Sequence, residues 1–230
     1  WDLIPEFAVD QLHVIPGANP LYGLNALGGS LSLRMKNGFR SAGSRLHALG
    51  GSFSRYRSVV EHGQAFGDWA LYGGMAFFGE EGWRHHSASS AQNSYTDVRQ
   101  RGRRHELGFG LSLGASELRG NGPAPLSLLA EDRSAVFTHP DITENRLLML
   151  ANDTDVEITD EVSLQMTAYA RHMGQDTLNQ LIPCRNLARS RDLIIHEEYV
   201  DEGISGSKDS RPSLDRMMKD ARDGFIAKVI

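Results

Sequence analysis

Between residues 41 and 179, apolar and polar residues alternate in about six segments of roughly ten residues, separated by glycine and polar turns. Alternation at every second position places apolar side chains on one face of an extended strand and polar ones on the other. The segments fall near 45–53, 55–62, 69–78, 104–116, 145–157 and 162–171. They predict antiparallel β-structure, and the 24 glycines suit its many turns better than a helical bundle. Short turns such as Gly67-Asp68 exchange with longer polar stretches at 84–103 and 117–144, both read as loops. Aromatic residues recur at segment ends, among them Tyr56, Trp69, Phe77, Phe78 and Tyr169. An outer-membrane barrel with interfacial girdles produces this pattern, and so does a soluble antiparallel sandwich.

The flanks differ. Residues 1–40 are apolar and turn-rich: 9–15 is a short apolar run ending at Pro16-Gly17, and 30–36 alternates as a half-buried strand before Asn37-Gly38. From 180 the charge density rises. A strand at 193–200 is followed by a Gly/Ser loop and a helix that starts near Asp209, Ser210 and Pro212 and ends at Gly224. Leu214, Met217, Met218 and Ala221 form one apolar stripe of that helix, and 225–230 opens another strand. Strand, helix, strand predicts a piece of an α/β domain.

Residues 1–38 resemble the end of the plug domain of TonB-dependent outer-membrane receptors. The resemblance rests on Trp1-Asp2-Leu3-Ile4-Pro5, Val14-Ile15-Pro16-Gly17 and Asn19-Pro20-Leu21-Tyr22-Gly23-Leu24-Asn25-Ala26-Leu27-Gly28-Gly29, with Asn19, Tyr22, Gly23, Asn25, Ala26, Gly28 and Gly29 as the plug-end motif. Gly50-Gly51-Ser52-Phe53, Gly82-Trp83-Arg84, Val136-Phe137-Thr138-His139-Pro140-Asp141 and Ala168-Tyr169-Ala170-Arg171 continue it through early barrel strands to about residue 179. The resemblance implies energised uptake of siderophore-like or similar ligands, with outer-membrane lipid and the TonB system as partners. It also implies that most of the plug and its TonB-contacting segment are missing, and that too few strands are present to close a barrel of about 22.

Residues 186–230 are similar to the catalytic domain of serine recombinases, the resolvases and invertases. Glu198-Tyr199-Val200-Asp201-Glu202-Gly203-Ile204-Ser205-Gly206-Ser207-Lys208 and Arg211-Pro212-Ser213-Leu214-Asp215-Arg216 carry this. The resemblance places Asp201 and Arg211 in an active centre, with Arg211 on the scissile phosphate and DNA as partner. The family's nucleophilic serine sits in a Tyr-x-Arg-x-Ser segment. Tyr169-Ala170-Arg171 is followed by His172-Met173, and is assigned to the receptor strand. No intact catalytic site is therefore expected, and the chain is read as a non-enzyme.

The expected domains are a plug end at 1–40, a partial barrel at 41–179, a junction at 180–185 and a partial resolvase-like domain at 186–230. The chain starts at Trp1 without a methionine or signal peptide and reads as an excerpt. No 18-residue apolar run predicts a membrane helix, which leaves β-barrels open. The receptor resemblance implies the outer membrane, and the recombinase resemblance the cytoplasm. No cofactor is expected. His85-His86 lacks a third metal ligand, and Arg99, Arg101, Arg103 and Arg104 read as a solvated strand end. The net charge of −5 points to no overall nucleic-acid affinity, and the one cysteine, Cys184, pairs with nothing inside the chain.

Overall fold

A computed structural model describes residues 2–17, 28–120, 122, 124–137, 139–178 and 212–223. A short 3-10 turn (Glu6–Ala8) leads into the hairpin β1 (Val9–Pro16) and β2 (Gly29–Met35). Seven further strands follow in one sheet, ordered as in the chain: β3 (Gly43–Gly50), β4 (Tyr56–Phe66), β5 (Trp69–Glu80), β6 (Ser89–Arg101), β7 (His105–Arg119), β8 (Ile142–Glu157) and β9 (Ser163–Leu178). Two helices are described, α1 (Leu126–Glu131) and α2 (Pro212–Arg222). The fold is mainly β, and the seven-stranded sheet is open, with β3 and β9 as its edges.

All neighbours in the sheet run antiparallel. Registers fix this for β3 to β6. For the rest it follows from contacts: Asn145 meets Ser116, the amide of Glu157 donates to the carbonyl of Arg104, and Thr167 meets Asp153. The turns at 67–68, 102–104 and 158–162 are thus at one end of the sheet. The connection 51–55 is at the other.

The chain clusters into two compact units. One holds Trp1–Glu81, Ser89–Ser116 and Asn145–Gly174, which is the hairpin with most of the sheet. The other gathers Gly82–Ala88, Glu117–Glu144 and Gln175–Ile230.

One expectation is corrected. Residues 84–103, read as a loop, contain the 13-residue strand β6. Its outward positions Ser94 and Thr96 and its inward positions Asp97 and Arg99 are all polar, so the period-2 contrast vanishes. The stretch 117–144 does carry the long connection, with α1 inside it.

Two local devices set the hairpin. Gly29 begins β2 at φ +141°, and a Cβ there would come within 2.7 Å of the Ile15 carbonyl oxygen, so only glycine fits. Asn37 closes the exit from β2: its Oδ1 accepts from the amides of Phe39 and Arg40, each at 3.1 Å.

Candidate functional site

The sheet has an inner and an outer face, and the register separates them. Leu46, Val60 and Met75 lie side by side across β3, β4 and β5 on the outer face. Leu71 and Val98 pair on the same face, and Phe109 and Leu113 of β7 and Leu148 and Leu150 of β8 extend it. All of these side chains are exposed, Phe109 by 60% and Leu46 by 77%. Aromatic residues bound the band. Phe66 and Trp69 pair at the short-turn end, and Tyr56 and Phe77 lie toward the other.

The inner face is ionic. One row across β3, β4, β5 and β6 reads Arg45, Glu61, Gly74 and Tyr95; the next reads Gly63, Tyr72 and Asp97. Glu61 is 4% exposed. It accepts from Lys36 Nζ at 2.8 and 3.2 Å, from Arg45 Nη1 at 3.2 Å, and from the hydroxyl of Tyr72. Asp97, 1% exposed, is held by Arg99 Nε at 3.1 Å. Arg99 also reaches Glu106 at 3.2 Å and Asp153 at 3.4 Å, linking β6, β7 and β8.

The N-terminal segment sits against this face. Phe7 and Met35 pack on a small core of Ala8, Tyr72 and Tyr95. Gly74 leaves room for Phe7, since a Cβ there would stand 2.5 Å from the ring and 2.8 Å from the Val60 carbonyl oxygen. Asp2 is hydrogen-bonded to Ser116 and to Asn145 Nδ2 at 3.3 Å, and its carbonyl accepts from Asn93. Lys36 is therefore the ionic key of the hairpin to the sheet, 25 residues from its partner Glu61.

Of the arginine cluster, expected as a solvated strand end, Arg101, Arg103 and Arg104 are exposed and Arg99 alone departs from that expectation. Arg99 is buried among three carboxylates, Arg101 pairs with Glu106 at 2.8 Å and Arg104 with Asp160 at 2.7 Å. They are sheet-bracing ion pairs.

The adjacent histidines belong to the 81–88 connection and have separate partners. His85 Nε2 lies 3.0 Å from both Asp132 Oδ2 and Ser134 Oγ, while His86 stacks on His139 with ring centroids 3.7 Å apart. Carboxylate and hydroxyl meet the same ring nitrogen. A serine–histidine–aspartate relay needs them on opposite nitrogens, so this is not a nucleophile–base pair. The hydroxyl and amide of Ser134, then His85, hold Asp132 below the usual carboxylate range. Among the described residues no group of three or more histidine, cysteine or acidic side chains is placed to hold a metal ion.

Of the residues named for the plug-end motif, Gly29 opens β2 and Gly28 precedes it, with the Gly28 carbonyl oxygen 3.4 Å from the Gly17 amide. Asn19, Tyr22, Gly23, Asn25 and Ala26 lie outside the described residues, as do Asp201 and Arg211. Tyr169 and Arg171 are in β9.

Comparisons with known proteins give a structural match and a family-model match. The fold is similar to that of the siderophore receptor PiuA from Acinetobacter baumannii, with a TM-score of 0.62 and 15% identity. The match covers 74% of this chain and 27% of the receptor, so the chain spans about a quarter of that protein's length. The family model of the resolvase N-terminal domain matches residues 166–230. No curated protein matches.

The fold over most of the chain is thus like that of a siderophore receptor, and residues 166–230 match the resolvase N-terminal domain model. The resolvase match includes residues 166–178, which form most of β9.

Proposed function

We propose that residues 1–179 are the plug end and first barrel strands of an outer-membrane receptor of the siderophore type, seated in lipid through the outer face of β3–β9. The observation that carries this is the inverted sheet. Its exposed face is apolar over much of β5, β7 and β8, and its covered face holds Glu61, Asp97 and Arg99. A soluble sandwich buries its apolar face and hydrates the polar one. A barrel in lipid does the reverse. The fold likeness to PiuA supports the same reading.

We also propose that these 230 residues alone do not transport. Seven strands in an open sheet enclose no channel. The test is flotation with phospholipid vesicles. The chain floats with lipid and stays there through a urea wash. Recovery in the soluble fraction after that wash rejects the lipid-seated reading.

A second reading rests on the resolvase match at 166–230. We propose that this segment retains relics of an active centre, Asp201 and the phosphate-binding Arg211, without strand-cleaving activity. Met173 stands where the Tyr-x-Arg-x-Ser pattern needs its nucleophile. The purified chain leaves supercoiled plasmid intact, with or without Arg211→Ala. Nicking by the unaltered chain overturns this.

A further inference from the structure

No carboxylate, lysine or arginine stands on the outer face of β4, β5 or β6; by register, all of them on these strands face inward. The outward side of β6 is polar all the same. It reads Ser90, Gln92, Ser94, Thr96 and Gln100, interrupted by Val98. This stripe runs between apolar neighbours, Leu71, Met75 and Phe77 on β5 and Leu111 and Leu113 on β7.

Thr96 lies beside Gly73 and Ser94 beside Met75. Those partners are four and six residues from Trp69 at the aromatic border. The distances are roughly 13 and 20 Å along the strand, or about 9 and 14 Å in depth at a tilt of about 45°. Within a hydrocarbon core about 30 Å thick, lipid offers these hydroxyls no partner. Among the described residues neither makes a side-chain hydrogen bond. The face is also hollow there: a depression of about 450 Å³ is lined by Gly73, Met75, Ser94, Thr96, Leu111 and Leu113, among others. A Cβ at Gly73 would meet nothing nearer than 3.7 Å, so a second surface can come close.

We propose that two copies of this chain pack back to back in the bilayer through the outer faces of β5 and β6, each pairing its Ser94 and Thr96 hydroxyls with those of the other. This rests on the lipid-seated reading above. A two-fold axis along the membrane normal keeps both copies inserted the same way and brings equal depths together, so residues near the axis meet their own counterparts. Charged groups would repel in such a pairing. Hydroxyls and amides both donate and accept, so each satisfies its own copy. The polar groups of the β6 stripe are all of this kind, which fits a second copy better than a lipid chain with nothing to donate.

The full chain, folded in neutrally buoyant detergent micelles, is weighed by sedimentation equilibrium. A reversible dimer is expected. Ser94→Val with Thr96→Val removes both hydroxyl pairs and should weaken the dimer roughly ten-fold, while Ser94→Thr with Thr96→Ser keeps them and should leave it within about two-fold. Apolar association in water would instead be tightened by the valines.

Thr96→Cys, made together with Cys184→Ser and folded into phospholipid vesicles, should oxidise to disulfide-linked pairs; Leu148→Cys on the outer face of β8 should not. A monomer, a dimer unmoved or tightened by the valines, or no linked pairs from Thr96→Cys, in protein that stays on vesicles through a urea wash, overturns the inference and leaves the lipid-seated reading standing. Release from the vesicles by urea overturns that reading, and the inference with it.

Discussion

Replacing Glu61 by alanine removes the acceptor that three donors share. Tyr72 is fully buried, and its hydroxyl loses its partner, which costs about 1–3 kcal/mol. Lys36 and Arg45 lose their ion pair too, but they are 20% and 48% exposed and recover hydration. Their loss adds about 1 kcal/mol, well short of the roughly 3–5 kcal/mol of a fully buried broken pair. The expected sum is about 2–4 kcal/mol. Glu61→Gln keeps a carbonyl acceptor for Tyr72 and should cost about half as much.

The assay is urea unfolding of the lipid-folded chain, followed by tryptophan fluorescence. A double-mutant cycle with Tyr72→Phe isolates the hydroxyl, with a coupling of about 1 kcal/mol or more between neighbours in one network. Hydrogen exchange should show β1 and β2 losing protection ahead of β7 and β8, because Lys36 is the hairpin's anchor. A loss under about 0.5 kcal/mol with unchanged exchange in β2, or zero coupling to Tyr72, would refute the role given to Glu61.

Two further outcomes are expected. Arg99→Ala strands Asp97, which is almost fully buried, and should destabilise the sheet by about 3–5 kcal/mol, with Arg99→Lys recovering part of it; equal stability of all three in urea would contradict the bracing role. Asp132, whose carboxyl is held below its ordinary 3.8, lends order to the 120–141 connection at any pH above that value, and the order is lost as pH falls through the depressed one. The Ser134 amide resonance should therefore hold its position down to about pH 4 and shift only below it, while Asp132→Asn removes that titration.

The outer face of the sheet was legible because Leu, Val and Phe at alternate positions contrast with their neighbours, as in β5, β7 and β8. The contrast fails where both faces are polar, which is why Ser89–Arg101 read as a loop. It also fails for pairings set by tertiary structure. Lys36 and Glu61 are far apart in sequence, and nothing local marks them as partners. Asn37-Gly38 was legible as a turn, but not the buried Asn37 side chain that caps two amides. Arg99 looked like its exposed neighbours Arg101, Arg103 and Arg104 because the carboxylates that bury it come from Asp97, Glu106 and Asp153. The dipeptide His85-His86 shows two imidazoles and hides that they take different partners.

The most direct test of the lipid-facing sheet is fluorescence quenching of a single tryptophan placed on its outer face. Phe109→Trp is made with Trp1, Trp69 and Trp83 changed to phenylalanine, and the chain is folded into vesicles of brominated phospholipid. Bromines deep in the acyl chains should quench the introduced indole strongly, and aqueous acrylamide should quench it weakly. Strong acrylamide quenching with no effect of the bromines would place this face in water and contradict the assignment of β3–β9 to the membrane.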